Sequence, residues 1–124
     1  MKLFTIDEAS ELLPVVRQIL YKIKMLHDYA SQFKEEARSA AIASQFGGGM
    51  PGGSKYVNSL SEIGRLTTEI DEMGIQLKDY QRGLIDFPFM RDGRLALLCW
   101  QFEDGEEILW WHDFEAGFAG RQRL

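Results

Sequence analysis

Asp86, Cys99 and His112 are the residues of this 124-residue chain whose types could do chemistry together. Aspartate, thiolate and imidazole are all donors for a soft-to-borderline metal ion such as zinc. The same three could instead form a Cys–His pair, in which the imidazole lowers the thiol pKa and the aspartate orients the ring. Glu115, just past His112, is available as a fourth donor. A blander account makes Cys99 a small buried hydrophobe in a strand and His112 a half-buried polar edge with one hydrogen bond. No CxxC or HExxH spacing singles the group out. Its standing rests on whether the fold brings the three side chains together.

That is a question of strand register. Leu84–Met90, Leu95–Phe102 and Ile108–Phe114 are rich in apolar and aromatic residues, as strands are. Asp92-Gly93 and Asp104-Gly105 stand between them, the strongest short hairpin signal. A two-residue turn at Asp92-Gly93 sets Arg91 opposite Arg94, Phe87 opposite Leu98 and Asp86 opposite Cys99. A second at Asp104-Gly105 sets Glu103 opposite Glu106, Trp100 opposite Leu109 and Cys99 opposite Trp110. His112 then lies diagonal to Cys99 one strand over, and neighbours of this kind sit within about 5–8 Å. Leu84, Pro88, Leu97, Gln101, Ile108 and Trp110 share that face. The opposite face carries Ile85, Phe87, Phe89, Ala96, Leu98, Trp100, Phe102, Leu109 and Trp111. It is almost wholly apolar and must be the core. A one-residue slip would exchange the faces, and the uniformly apolar one argues against it. Ile75 and Leu77 alternate with Gln76 and Lys78, which adds a short strand.

Helices must cover that core. Thr5 and Glu8 form a capping box. Apolar residues then recur at Ile6, Ala9, Leu13, Val16, Leu20, Ile23, Leu26, Ala30, Phe33 and Ala37, one helical stripe. Pro14 removes an amide donor inside it, so a kink is expected near Ser10–Pro14. The run GGGMPGG at 47–53 cannot stay helical and reads as a connector. It lacks the Gly-Lys-Ser/Thr ending and the preceding strand of a phosphate-cradling loop. Ser54 can cap a second helix with Tyr56, Leu60, Ile63, Thr67, Ile70 and Met73 inward, and Gly74 is a natural stop. A short connector makes the pair antiparallel. The second helix is about half as long as the first, so the stripe over Ile6–Leu26 must find its partner in the sheet. His27, beside Leu26, reads as a satisfied histidine at the core edge.

The expected fold is therefore α+β in one domain, 1–124. A long kinked helix (1–46), the connector (47–53) and a second helix (54–73) form an antiparallel helical hairpin. An antiparallel meander of three to four strands (74–114) packs on the first helix, and a tail (115–124) follows. Net charge is −5. Residues 1–45 balance six basic against six acidic side chains, and 82–124 carry five against eight. Nucleic-acid binding is disfavoured, because it needs a positive stripe to release counterions. The acid-bearing start lacks a signal-peptide core and no apolar run reaches membrane length. With one cysteine, a reducing cytoplasm is the default compartment. In the tail, docking of Phe118 on the outer sheet face is the favoured reading, and Arg121 as an anion or carboxylate clamp is the rival. Trp110, near Ile108 and Leu84, is a candidate contact patch unless the tail folds over it.

FTIDEASELLPVV, GLIDFPFMRDGRLALLCW and WWHDFEAGFAGR together resemble the uncharacterised bacterial family called domain of unknown function 2203. The resemblance spans nearly the whole chain and is most specific in its C-terminal third. The matching positions are Asp86, Pro88, Arg91, Asp92, Gly93, Cys99, Trp100, His112, Gly117, Phe118, Gly120 and Arg121. It implies a small bacterial cytoplasmic protein, helices first and sheet last, without an established activity; some relatives are labelled as division initiation proteins. The functional expectation that leads is a non-enzymatic, self-associating interaction module. Leu12, Ile19 and Ile42 widen the apolar stripe, and a homodimer joining two coiled-coil-like hairpins would bury it. The rival is a metal-binding protein, or a small metal- or thiol-dependent enzyme, using Asp86, Cys99 and His112 with Glu115. No cofactor beyond such a metal, zinc in the first instance, is implied.

Overall fold

The computed structural model describes the backbone of residues 1–43 and 52–124. The Ile42 side chain and segment 44–51, most of the expected connector, lie outside the described residues. Helix α1 spans Ile6–Ala43, about 57 Å at 1.5 Å per residue. Its start is the capping box. The Thr5 amide donates to Glu8 Oε1 at 2.9 Å and the Glu8 amide to Thr5 Oγ1 at 3.0 Å. These bonds hold the Glu8 carboxyl below its ordinary range. The chain stays helical on both sides of Pro14. Ala9, Leu13, Val16, Leu20, Ile23 and Ala30 are buried along one stripe, while Ile6 is exposed.

Helix α2 spans Gly53–Glu72. Its N-cap is Gly52 and no side chain caps it, so Ser54 lies inside the first turn and does not cap the helix as the sequence suggests. The buried face is Ser59, Ile63, Leu66 and Ile70. Leu60, expected inward, is 45% exposed. The inward position belongs to Ser59, whose hydroxyl donates to the Lys55 carbonyl at 2.8 Å and so needs no outside partner. The helices run antiparallel: Lys22 pairs with Glu62 at 3.3 Å, and Phe33 stacks on Tyr56 at 4.9 Å. Arg65, and then Lys22, hold the Glu62 carboxyl down to about 2. These groups are solvated, so the bridge contributes little to stability.

Five strands among the described residues form one antiparallel sheet in sequence order: β1 (Gln76–Asp79), β2 (Leu84–Arg91), β3 (Arg94–Trp100), β4 (Trp110–Asp113) and β5 (Gln122–Arg123). The β2–β3 hairpin has the derived register, with Arg91 opposite Arg94 and Asp86 opposite Cys99. Asp92 and Gly93 both have positive φ, 51° and 78°, as a type I′ turn demands. Between β3 and β4 the register is also as derived, Cys99 opposite Trp110, but the turn is not. β3 stops at Trp100 and Phe102–Asp104 forms a 3₁₀ turn, so the ladder never reaches Glu103 and Glu106. The Asp104 carboxylate accepts the Gln101 amide at 3.0 Å, and the Asp104 amide donates to the Gln101 carbonyl at 2.9 Å. The Trp100 indole N–H donates to the Gly105 carbonyl at 3.0 Å. With the loop closed on itself, Ile108 enters the core and Leu109 does not.

The inner sheet face packs under the first half of α1. Ile85, Phe87, Phe89, Ala96, Leu98, Trp100 and Trp111 join Ala9, Leu13, Val16, Ile19, Leu20 and Ile23 in one core. The N-terminal segment closes one end: Phe4 meets Phe87 edge-on at 5.3 Å, and its amide donates to the Pro88 carbonyl at 2.7 Å. Phe102 stacks on Tyr21 of α1 at 4.4 Å. Gly83 makes this possible. Its φ is +61°, and a Cβ there would lie 2.5 Å from the Phe102 ring. Gly83→Ala therefore adds backbone strain to a steric clash, and should cost about 2 kcal/mol or more of unfolding free energy in urea titration. A change within about 0.5 kcal/mol, the size usual for neutral surface substitutions, would mean the Phe102 packing is unimportant.

Candidate metal centre

The outer face of the sheet is covered. Leu84, Asp86, Pro88, Leu97, Cys99, Gln101 and His112 are all buried there. The covering piece is the tail, from Phe114 to Phe118, which shares with this face a pocket of about 250 Å³. Strand pairing, hydrogen bonds and arginine contacts hold the tail down. β5 pairs with β4, Trp110 opposite Arg123 and Trp111 opposite Gln122. The Leu124 amide donates to the Leu109 carbonyl at 2.9 Å. Arg121 reaches Asp104 at 2.7 Å, with both side chains only 9% exposed. The Arg121 guanidinium also lies against Trp110 and Phe118, 4.8 and 4.7 Å from the ring centres. Arg82 covers Phe118 at 4.1 Å and donates to Gln101 Oε1 at 3.0 Å. Arg121 is thus engaged by a carboxylate of its own chain, and Trp110 is half-buried beneath the tail's arginines.

Under this cover the sheet brings Asp86, Cys99 and His112 together. They come from β2, β3 and β4, and their ligand atoms all lie within 4.8 Å of one another. Among the described residues this is the group of three or more such side chains that could hold a metal. Glu115 lines the same pocket, but it is exposed and stands outside that group. Lys78 and Phe114 also line the pocket, and neither is among the candidate site residues read from the sequence. A single lysine in a short edge strand carries no signal until the tail brings the far end of the chain beside it.

The histidine's hydrogen bonds limit the chemistry. His112 Nδ1 lies 2.8 Å from the Asp113 carbonyl oxygen and Nε2 lies 3.1 Å from Asp86 Oδ1. A carbonyl oxygen can only accept, so Nδ1 carries a proton and donates. A neutral ring then turns the Nε2 lone pair toward a carboxylate, and lone pair would face lone pair. A positive charge between the two removes the conflict. A proton held between the two atoms does so, and a metal ion on Nε2 does so as well. An Nδ1–H held by a backbone carbonyl, leaving Nε2 to ligate, is the usual arrangement around a metal-bound histidine.

Cys99 is a buried thiol held in its neutral form. Burial, reinforced by the charge of Asp86, pushes its thiol up to about 12. A thiol in this setting is not a nucleophile at neutral pH, which disfavours the thiol-enzyme reading of the cluster. Tetrahedral bonds of about 2.0–2.3 Å place donors about 3.3–3.6 Å apart. The Asp86–His112 pair, at 3.1 Å, is slightly closer than that spacing, and the three donors lie within 4.8 Å of one another.

Fold and site define a small α+β protein with a buried Asp–Cys–His cluster roofed by its own C-terminal tail. Residues 2–124 match the family described as Uncharacterized conserved protein, domain of unknown function 2203, and the chain belongs to that family. No curated protein and no solved structure matches it.

The raised Cys99 thiol makes stability depend on alkaline pH. Its folded pKa, about 12, exceeds the ordinary 9.0. Between those values the folded state holds a proton that the unfolded chain has lost. The contribution is therefore complete below about pH 9 and falls away as pH climbs toward 12. In metal-free protein, Cys99→Ser should flatten the decline of Tm across this window, and the wild-type thiol should resist iodoacetamide at pH 8 until denaturant is added. Rapid alkylation of the folded protein would contradict the burial.

Proposed function

We propose that this protein is a metal-binding protein, holding one divalent transition metal of the zinc class through Asp86, Cys99 and His112. The observation that carries this reading is the set of three buried donors within 4.8 Å, with a histidine already oriented by the Asp113 carbonyl. A carboxylate, a thiolate and an imidazole suit a borderline ion of the zinc class better than magnesium or calcium, which prefer oxygen throughout. Three protein ligands would leave the fourth position of a tetrahedral ion open. Glu115 lines the same pocket and is the further carboxylate beside the three donors.

The test is elemental analysis of untagged protein by mass spectrometry, before any chelator and again after equilibration with zinc. Close to one equivalent per chain is expected, with loss in Cys99→Ala and His112→Ala variants whose circular dichroism remains native. Protein that retains no zinc after equilibration would overturn the reading.

A second reading, self-association through the helices as a homodimer, is supported by the apolar side chains they expose. Met25 is 71% and Val57 62% exposed, and Val15 and Leu60 are also open to solvent. Of the residues expected to widen the stripe for a partner, Ile19 lies in the core and Leu12 packs against it, so the support rests on the exposed set. Light scattering decides this: a mass of two chains, reduced to one by Met25→Glu with Val57→Glu, is expected of a dimer. A single-chain mass at working concentration excludes it.

A further inference from the structure

The three donors are closed off from solvent on both sides of the sheet, by covers of different kinds. Asp86 is 3%, Cys99 0% and His112 2% exposed. Surface that a water molecule barely reaches is closed to a hydrated ion. On the inner side the way is shut by the core, where Phe87, Leu98 and Trp111 pack under α1. On the outer side the tail from Phe114 to Phe118 walls the pocket over the donors, yet every residue from Phe114 to Ala119 is itself exposed. No residue beyond Trp111 belongs to the hydrophobic core. The tail's anchors are the Arg121–Asp104 bond at 2.7 Å, the two-residue ladder of β5, and the Arg82 and Arg121 guanidiniums against Phe118. A segment with few buried apolar contacts opens at a lower free energy than the core beneath it. The tail can therefore lift while α1 and the inner face stay packed.

We propose that the C-terminal tail is a lid over Asp86, Cys99 and His112, latched by the Arg121–Asp104 pair, and that it must lift before an ion can enter or leave. The ion's part in this rests on the metal reading above; the motion of the lid is testable without it. The hinge falls where the tail leaves β4. There the Ala116 amide donates to the Asp113 carbonyl at 3.0 Å, and Gly117 takes a φ of 68°, a conformation that favours glycine. One oxygen of Asp104, Oδ2, accepts both the Gln101 amide and Arg121 Nη2. An asparagine oxygen in its place keeps the acceptor that closes the turn and removes the charge that holds the latch. A lid sets the height of the barrier and leaves the ligands as they are, so loosening it speeds entry and exit together.

The test uses the full-length chain and two readouts. In metal-free protein, alkylation of Cys99 by iodoacetamide is timed at urea concentrations below the unfolding transition. In cobalt(II)-loaded protein, uptake of the ion and its release to excess chelator are followed through the visible spectrum. Asp104→Asn should speed alkylation, uptake and release each about ten-fold, since a charge-assisted hydrogen bond is about twice as strong as a neutral one. The cobalt dissociation constant should stay within about two-fold, because the latch is the same with the site full or empty. Alkylation should depend on urea far less steeply than global unfolding does, because lifting the tail exposes little surface. Phe118→Ala, at an exposed position outside the core, should act in the same directions and stands in if Asp104→Asn does not fold. Rates unchanged in the variants, or alkylation with the full urea dependence of unfolding, overturn the lid. Faster alkylation with cobalt exchange unchanged overturns its gating of the ion. Cobalt that never binds overturns the metal reading, and alkylation then decides the lid by itself.

Discussion

Strand β3 lies between β2 and β4 with every residue from Ala96 to Trp100 buried, and its register against both neighbours supports everything else in the molecule. Side chains alternate along a strand, so one register decides two faces at once. The pairing Asp86–Cys99 and the diagonal to His112 put three donors on the outer face. The same pairing puts Phe87, Leu98 and Trp111 on the inner one, against α1. A slip of one residue would drive Asp86 into that apolar core. The core under the helix and the site under the tail are therefore held by one constraint, and the positive-φ turn at Asp92-Gly93 starts it.

The price of this arrangement is a group of ionisable side chains taken out of water. Buried charges persist only when paired and hydrogen-bonded. Asp86 and His112 meet this condition through each other and the Asp113 carbonyl, and Cys99 meets it by staying protonated. A bound cation would invert that local logic, turning the thiol into a thiolate and the imidazole into a ligand.

Asp104 connects the sheet to its cover. Its carboxylate closes the Phe102–Asp104 turn by accepting the Gln101 amide and receives the Arg121 guanidinium. Had the Asp104-Gly105 pair formed a two-residue hairpin, that carboxylate would sit at an exposed tip. The departure from the simple hairpin and the docking of the tail are thus one event. The aromatic faces of Trp110 and Phe118 complete it by giving Arg121 apolar surface on which to lie.

Much of this was legible in the residues. The capping box at Thr5 and Glu8, the stripe of α1, and the turn and register of β2–β3 follow from local patterns, because period and turn chemistry act over a few residues; the β3–β4 register came out as derived although the two-residue turn behind that derivation does not form. The meeting of Asp86, Cys99 and His112 followed from register alone. Three features did not follow. The inward choice of Ser59 over Leu60 depends on how α2 lies against α1. The 3₁₀ turn at Phe102 depends on Tyr21 and Gly83, far away in sequence. Strand β5 is two residues long and has no periodicity to read; it forms because Arg121, 17 residues beyond Asp104, finds that carboxylate in space. Sequence by itself determined which side chains share a face, since alternation along a strand is a property of the backbone. Only the tertiary structure decided that the outer face is closed, because burial there comes from a long-range ion pair and aromatic packing that no local pattern encodes.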